Sequence, residues 1–112
     1  MQRLDGEQCL MRIFIGTADR YQGQPLHEAL LELFRREGFA GATVLKGVAG
    51  FGAHSVVHTD RLLCLSQDLP LVIEVVDNEE RINEIIPRLD TMIKGGMITV
   101  EKARVIRYLS GH

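Results

Sequence analysis

Paired cysteine motifs are missing from this chain. Its two cysteines, Cys9 and Cys64, stand far apart in apolar, strand-like segments with no CxxC spacing. A zinc ribbon or a dithiol redox motif is thereby excluded, and a reducing cytoplasm fits. Basic runs are missing too. Lys+Arg number 13 against 15 Asp+Glu, a formal net charge of −2, so nucleic acid is not an expected partner. No apolar run approaches the length of a membrane span, so no direct membrane insertion is expected. Met1 to Glu7 is polar without an apolar h-region, so no signal peptide is expected. Nor is there a nucleophile elbow, a supported Ser/His/Asp order, or a paired-carboxylate motif. Cys64 sits in an apolar run, where a thiol stays protonated and inert. The expectation is one soluble, cytoplasmic, non-enzymatic domain over residues 1–112, long enough to bury a single core.

What the chain does have is a glycine-punctuated stretch from Gly38 to Gly52, GFAGATVLKGVAGFG. Gly38 reads as a helix stop, Gly41 as the glycine before an apolar strand over Ala42 to Val48, and Gly50-Phe51-Gly52 as a hinge. Two glycines one residue apart permit positive φ and close backbone approach. Residues 53–69 then form a long loop, expected to be mobile, with Arg61 to Ser66 as the returning arm of a hairpin extension. Loops mounted on a rigid scaffold are where binding residues collect.

The remaining elements follow from periodicity. Residues 1–7 read as a polar extension. Gln8 to Gly16 is a strand whose Leu10, Arg12 and Phe14 face one way and Met11, Ile13 and Ile15 the other, so both faces need cover. Thr17 to Gly23 is a loop, with Asp19 and Arg20 as turn and ion-pair residues, and Asp68 reads likewise. Pro25 to Glu37 carries the stripe Leu26, Ala29, Leu30, Leu33, Phe34 of an amphipathic helix, with Pro25 in its first turn and Gly38 as its left-handed cap. Leu71 to Val76 is a buried strand after Pro70. Asp77 is expected to cap a second helix, with Glu80 in a capping-box relation. That helix carries the stripe Ile82, Ile85, Ile86, Leu89 and Ile93 and a kink near Pro87. Lys94-Gly95-Gly96 ends it, and Met97 to Tyr108 is the last strand. The order β-α-β-β-α-β predicts an α+β, ferredoxin-like sandwich: a four-stranded antiparallel sheet with two helices on one face. A bare apolar sheet face predicts self-association.

With these elements placed, the chain resembles the trimeric PII-like signalling proteins over nearly its whole length. The resemblance rests on Asp19-Arg20, Gly23, Pro25-Leu26, the Gly41 to Gly52 stretch, Asp68 to Pro70, Glu74, Val76-Asp77 and the glycine turn after the second helix. It departs at Thr17, where that branch carries Glu. The resemblance implies a homotrimer binding an adenine nucleotide between subunits. Thr43 would meet the base. Gly50, Phe51 and Gly52 match the GFG at the base of the mobile loop, where backbone amides face phosphate. Lys94, Gly95 and Gly96 take the place of a longer Lys-Ile-Gly-Asp-Gly phosphate turn, and Arg107 that of a phosphate-binding arginine. A guanidinium fork and a run of N–H groups are what a phosphate needs. Arg104, three positions from Arg107, is expected to point to the opposite face.

Some family features are absent. Ala53-His54 replaces an Arg-Gln pair whose glutamine helps to hold magnesium, Leu109 replaces a second phosphate arginine, and the loop has no tyrosine to nucleotidylate. The resemblance thus implies AMP or ADP over Mg-ATP as ligand, no further cofactor, and a target protein such as a membrane transporter or metabolic enzyme reached through the loop. Two alternatives stand beside it. His54, His58 and Asp60 share the loop and are the candidates for a divalent-cation site in a copper-tolerance-like trimer, although in a strand they spread over roughly 20 Å. A cofactor-free ferredoxin-like enzyme is the other.

Overall fold

The computed structural model describes residues 3–52 and 68–109. Strands β1 (Arg3–Gly16), β4 (Thr43–Lys46), β5 (Pro70–Asp77) and β6 (Met97–Leu109) form an antiparallel sheet in the order β4-β5-β1-β6. Helices α1 (Leu26–Arg36) and α2 (Glu79–Met92) contribute to one core. A short hairpin, β2 (Arg20–Tyr21) with β3 (Gln24–Pro25), starts in the Thr17 to Gly23 stretch read as a loop and ends on Pro25, read as the first turn of the helix. This is the ferredoxin-like α+β arrangement expected from the order of elements.

Period-two alternation in β1 and β5 decides which face is the core. Met11, Ile13 and Ile15 with Leu71, Ile73 and Val75 are buried beneath Leu26, Leu30, Leu33 and Phe34 of α1 and Ile82, Ile85 and Leu89 of α2. Truncating one such leucine to alanine typically costs about 2–5 kcal/mol, so these positions set the stability of the scaffold.

Among the described residues, the opposite face carries no helix. Register places Leu45 and Val72, Phe14 and Met97 in one row across it, Thr43, Glu74, Arg12 and Thr99 in the next, and Val76, Leu10 and Glu101 in a third. Its centre is a charged bridge over three strands. Arg12 Nε donates to Glu74 Oε2 at 2.9 Å and its Nη1 to Glu101 Oε1 at 2.5 Å. Those two bonds, Glu74's first, push the arginine further above its already high ordinary value.

Several expectations shift. Arg3 to Glu7 is strand rather than extension: Arg3 pairs with Leu109 and Glu7 with Arg104. Their polar side chains gave no alternation because this part of the β1–β6 ribbon runs past the end of β5, which stops pairing at Cys9. The central strand is shorter than Ala42 to Val48 and lies at the sheet edge, with Leu45 49% exposed, so it is not a core strand. It stops where Pro70 offers only a carbonyl, which Gly47 N takes at 2.7 Å.

Helix ends differ in kind. Gly38, at φ +76°, is the left-handed residue expected, and Phe39 N reaches Phe34 O while Gly38 N reaches Arg35 O, the paired bonds of a Schellman motif. Phe34 and Phe39 meet edge to face at 5.1 Å. Pro25 precedes α1 as its cap residue rather than lying in the first turn. The cap of α2 is Asn78, not Asp77: Asn78 Oδ1 accepts from Arg81 N at 2.8 Å, so Arg81 occupies the place expected of Glu80. Asp77 is fully buried one residue earlier, accepting from Asn78 N and facing Arg81 Nε at 3.4 Å. Arg81 also donates to Glu37 O and lies over the Phe39 ring, tying the two helices together. Helix α2 is assigned continuously through Pro87 and ends before Ile93, its C-cap, which is only half-buried.

Candidate functional site

Most of the residues singled out in the sequence fall into two separate hollows along the sheet face that the described helices leave bare. At the Phe14 end lies a cleft of about 360 Å³, lined by Phe14, Phe51, Gly52, Gly95, Gly96 and Met97, with Asp19 at its rim. At the Leu4 end lies a groove of about 440 Å³ that contains Thr43, Glu74, Val76, Val105, Arg107 and Tyr108. The groove reaches along β1 from Leu4 to Leu10, and Phe14 of the cleft lies four residues further on, roughly 13 Å of extended chain. Phe51, Gly52, Gly95 and Gly96 are therefore brought together, Thr43 and Arg107 are brought together, and the two groups are kept apart.

The cleft combines glycine backbone at Gly16, Gly52, Gly95 and Gly96 with the apolar side chains of Phe14, Ile15, Phe51, Pro70 and Met97. At Gly96, φ is +143° and an added Cβ would stand 2.3 Å from the Phe14 carbonyl oxygen, so this glycine is required by its approach to β1. Of the GFG pair, only Gly50 has positive φ, +152°, and it packs on Pro70; Gly52 has nothing within 4 Å of an added Cβ. Phe51 is 80% exposed despite its apolar ring. The floor is clasped to the start of β5: Thr17 N donates to Leu69 O at 2.8 Å, Leu69 N to Thr17 Oγ1 at 2.9 Å, and Ala18 N to Asp68 Oδ1 at 3.1 Å. Thr17 thus holds the end of β1 against the residues that follow the loop. Asp19 accepts from Gly16 N at 2.9 Å, and Arg20 Nη2 donates to Gly23 O at 2.7 Å, the turn role expected of this pair. Arg20 spends that bond on a carbonyl rather than a carboxylate.

The groove is made of side chains, and a bulge opens it. Gly6 pairs with Val105 and Leu4 with Tyr108, so two steps on β1 match three on β6. One extra residue lets Arg107 and Tyr108 both line the groove, where strict alternation would have turned one away. Tyr108 Oη donates to Ala40 O at 2.9 Å, closing the groove over the Gly38–Thr43 turn. Arg104 is not among the groove residues, as its spacing from Arg107 suggested. Glu74, whose carboxylate accepts from Arg12 Nε, lines the same groove as Arg107. Sequence reasoning treated Glu74 only as part of a motif and overlooked Tyr108. Its aromatic ring near the end of an exposed strand was the available signal.

Lys94 lies outside both hollows, on a smaller depression beside the cleft. His54, His58 and Asp60, and the hairpin arm Arg61 to Ser66, fall outside the described residues. Among the described residues, no group of three or more His, Cys, Asp or Glu could hold a metal ion. No helix among them is long and apolar enough to cross a membrane.

The DUF190 family, described as "Uncharacterized ACR", matches residues 8–105, and the chain belongs to it. A UPF0166 protein of Methanocaldococcus jannaschii is 35% identical over 99 residues, covering 88% of this chain and 91% of that protein. A UPF0166 protein of Aquifex aeolicus is 36% identical over 100 residues, covering 87% and 91%. Among solved structures, CPII of Thiomonas intermedia K12 bound to ADP, AMP and acetate aligns with a TM-score of 0.59 at 17% identity, over 94% of this chain and 92% of that one. The same protein bound to ADP and bicarbonate gives 0.56 at 19%, over 93% and 91%. The PII-like fold read from the motifs is therefore the fold observed.

Proposed function

We propose that the protein is a PII-like regulator, without catalytic activity of its own, which binds AMP or ADP at the junctions of a closed ring of three copies. The observation that carries this is the division of the site. A cleft holding the Gly95-Gly96 turn and a groove holding Thr43, Glu74 and Arg107 lie along one sheet face that the described helices leave uncovered, and no single hollow holds both the glycine turn and Arg107. Head-to-tail contact through that face would set the cleft of one copy against the groove of the next, a heterologous contact that closes into a ring of three when the rotation between copies is a third of a turn. A two-fold contact between identical patches has no such need for different ends. The fold shared with CPII, which is described with ADP and AMP, supports the choice of ligand.

In this reading Thr43 and Glu74 meet the base and ribose, Arg107 donates charge-assisted bonds to phosphate, and the N–H groups around Gly50 to Gly52 and Gly95-Gly96 receive the remaining oxygens. Phosphate at the loop base then fixes the position of the residues that follow Gly52, an order–disorder switch read by a cytoplasmic partner protein, such as a transporter's cytoplasmic surface.

A thermal-shift panel with AMP, ADP, Cu²⁺ and Zn²⁺, run beside light scattering, tests this. Nucleotide at about a hundredfold over Kd is expected to add roughly 2.7 kcal/mol. A stable monomer at micromolar concentration, or a shift given by metal ions alone and removed by a chelator, would overturn it.

A further inference from the structure

We propose that Arg20 is a further arm of the nucleotide site and that the depression between Arg20 and Lys94 takes the outer phosphate of a nucleoside diphosphate. The inference rests on the nucleotide reading above and names the residue that sets how many phosphates the site prefers.

The depression, about 230 Å³, is lined by Ala18, Asp19, Arg20, Leu26, Lys94 and Gly95. Asp19 and Gly95 also line the glycine cleft, so the two hollows adjoin. A phosphate chain whose first group lies against Gly95 and Gly96 meets this depression next. Two cations border it in a chain whose formal net charge is −2. Lys94 is exposed and makes no hydrogen bond or ion pair among the described residues. Arg20 commits an N–H of Nη2 to Gly23 O, and a guanidinium has five donors, so a fork remains for an anion. Asp19, the one carboxylate there, already accepts from Gly16 N.

The carrier of Arg20 is built to hold it. Asp19 N donates to Gly16 O at 3.2 Å and Leu26 N to Asp19 O at 2.8 Å, closing the base of the β2–β3 hairpin. Its tip takes Gln22 and Gly23 through positive φ, 48° and 83°. A folded hairpin therefore presents an arginine beside the cleft with no carboxylate partner among the described residues, the arrangement by which a guanidinium meets phosphate in bidentate fashion.

Titration calorimetry with ADP, AMP and adenosine on the wild type, Arg20→Gln and Arg20→Lys tests the assignment. Glutamine keeps an N–H donor for Gly23 O and removes the charge. Arg20→Gln is expected to weaken ADP about tenfold while leaving AMP and adenosine within about twofold, and Arg20→Lys to recover part of the loss. Unchanged ADP affinity, or equal weakening of ADP and AMP with or without a fall in melting temperature, overturns the role of Arg20 and leaves the nucleotide reading standing. A wild type that binds neither nucleotide overturns both.

Discussion

The two hollows along the bare sheet face are built by different means. At the Phe14 end the walls are glycine backbone and ring faces, held by close contacts that tolerate no added atom at Gly96. In the groove, Thr43, Glu74, Arg107 and Tyr108 stand among the apolar Leu4, Leu10, Val76 and Val105, beside a bulge and the Tyr108–Ala40 bond. The first has little freedom to change where Gly96 meets β1, whereas the polar groups of the second can be altered one side chain at a time. A fold can thus keep one half of a site fixed while the other half is tuned.

Breaking the backbone end carries the largest expected effect. Gly96→Ala forces a Cβ onto the Phe14 carbonyl oxygen at a backbone conformation alanine rarely adopts. A loss of about 3 kcal/mol is expected, or roughly 10–20 °C in melting temperature by calorimetry. Gly52→Ala meets nothing within 4 Å and is expected to leave the melting temperature unchanged while weakening nucleotide binding. If Gly96→Ala melts like wild type, the backbone end is not rigid and the contrast fails.

At the other end, Arg107→Ala is expected to weaken AMP by roughly one to two orders of magnitude, about 1.5–3 kcal/mol, with unfolding and assembly unaltered. Arg104→Ala serves as its control and should change little. Equal effects from the two arginines in a binding isotherm would remove Arg107 from the site.

Tyr108→Phe sharpens the comparison further, since it deletes only the bond to Ala40 O. About 1 kcal/mol of stability is expected to go, measurable by denaturant titration. Faster hydrogen exchange around Gly41 and Thr43 should accompany it, with none at Gly95-Gly96. Exchange that quickens at both ends would mean that the two hollows are not independent.

The smallest effect lies outside both. Hydrogen bonding to Arg35 holds the Glu32 carboxyl below its ordinary range. A depressed folded value contributes stability that is present above the unfolded pKa and is lost as pH falls through the folded one. Because the pair is exposed, Glu32→Gln should barely change the acid limb of a pH–stability curve, and a marked change there would show coupling to the core.

Much of this was legible in residue order. The alternation of Met11, Ile13 and Ile15 against Leu10, Arg12 and Phe14 located both faces of β1, and the Leu26 to Phe34 stripe placed α1. Gly38 marked its end correctly because a left-handed cap needs no partner beyond its own helix. Asn78 was missed because Asp77 and Asn78 are both capping residue types, and only burial distinguishes them. Arg3 to Glu7 was missed because strand pairing there is satisfied by β6, a partner about a hundred residues away in sequence.

The candidate site divided in the same way. Thr43, Gly52, Gly95, Gly96 and Arg107 were candidates because the resemblance to the PII-like proteins implies them; residue type alone marks the glycines as backbone positions and leaves Arg107 an ordinary strand residue. Their grouping was not legible. Which of them share a hollow depends on sheet order, on the register between β1 and β6, and on one extra residue at the bulge. Sequence by itself determined the alternation, the helix stripes and the chemical vocabulary of the site, since these follow from local backbone geometry and side-chain type. Only the tertiary structure decided that the vocabulary is split between two hollows along one open face, because long-range strand pairing places residues that no local pattern relates.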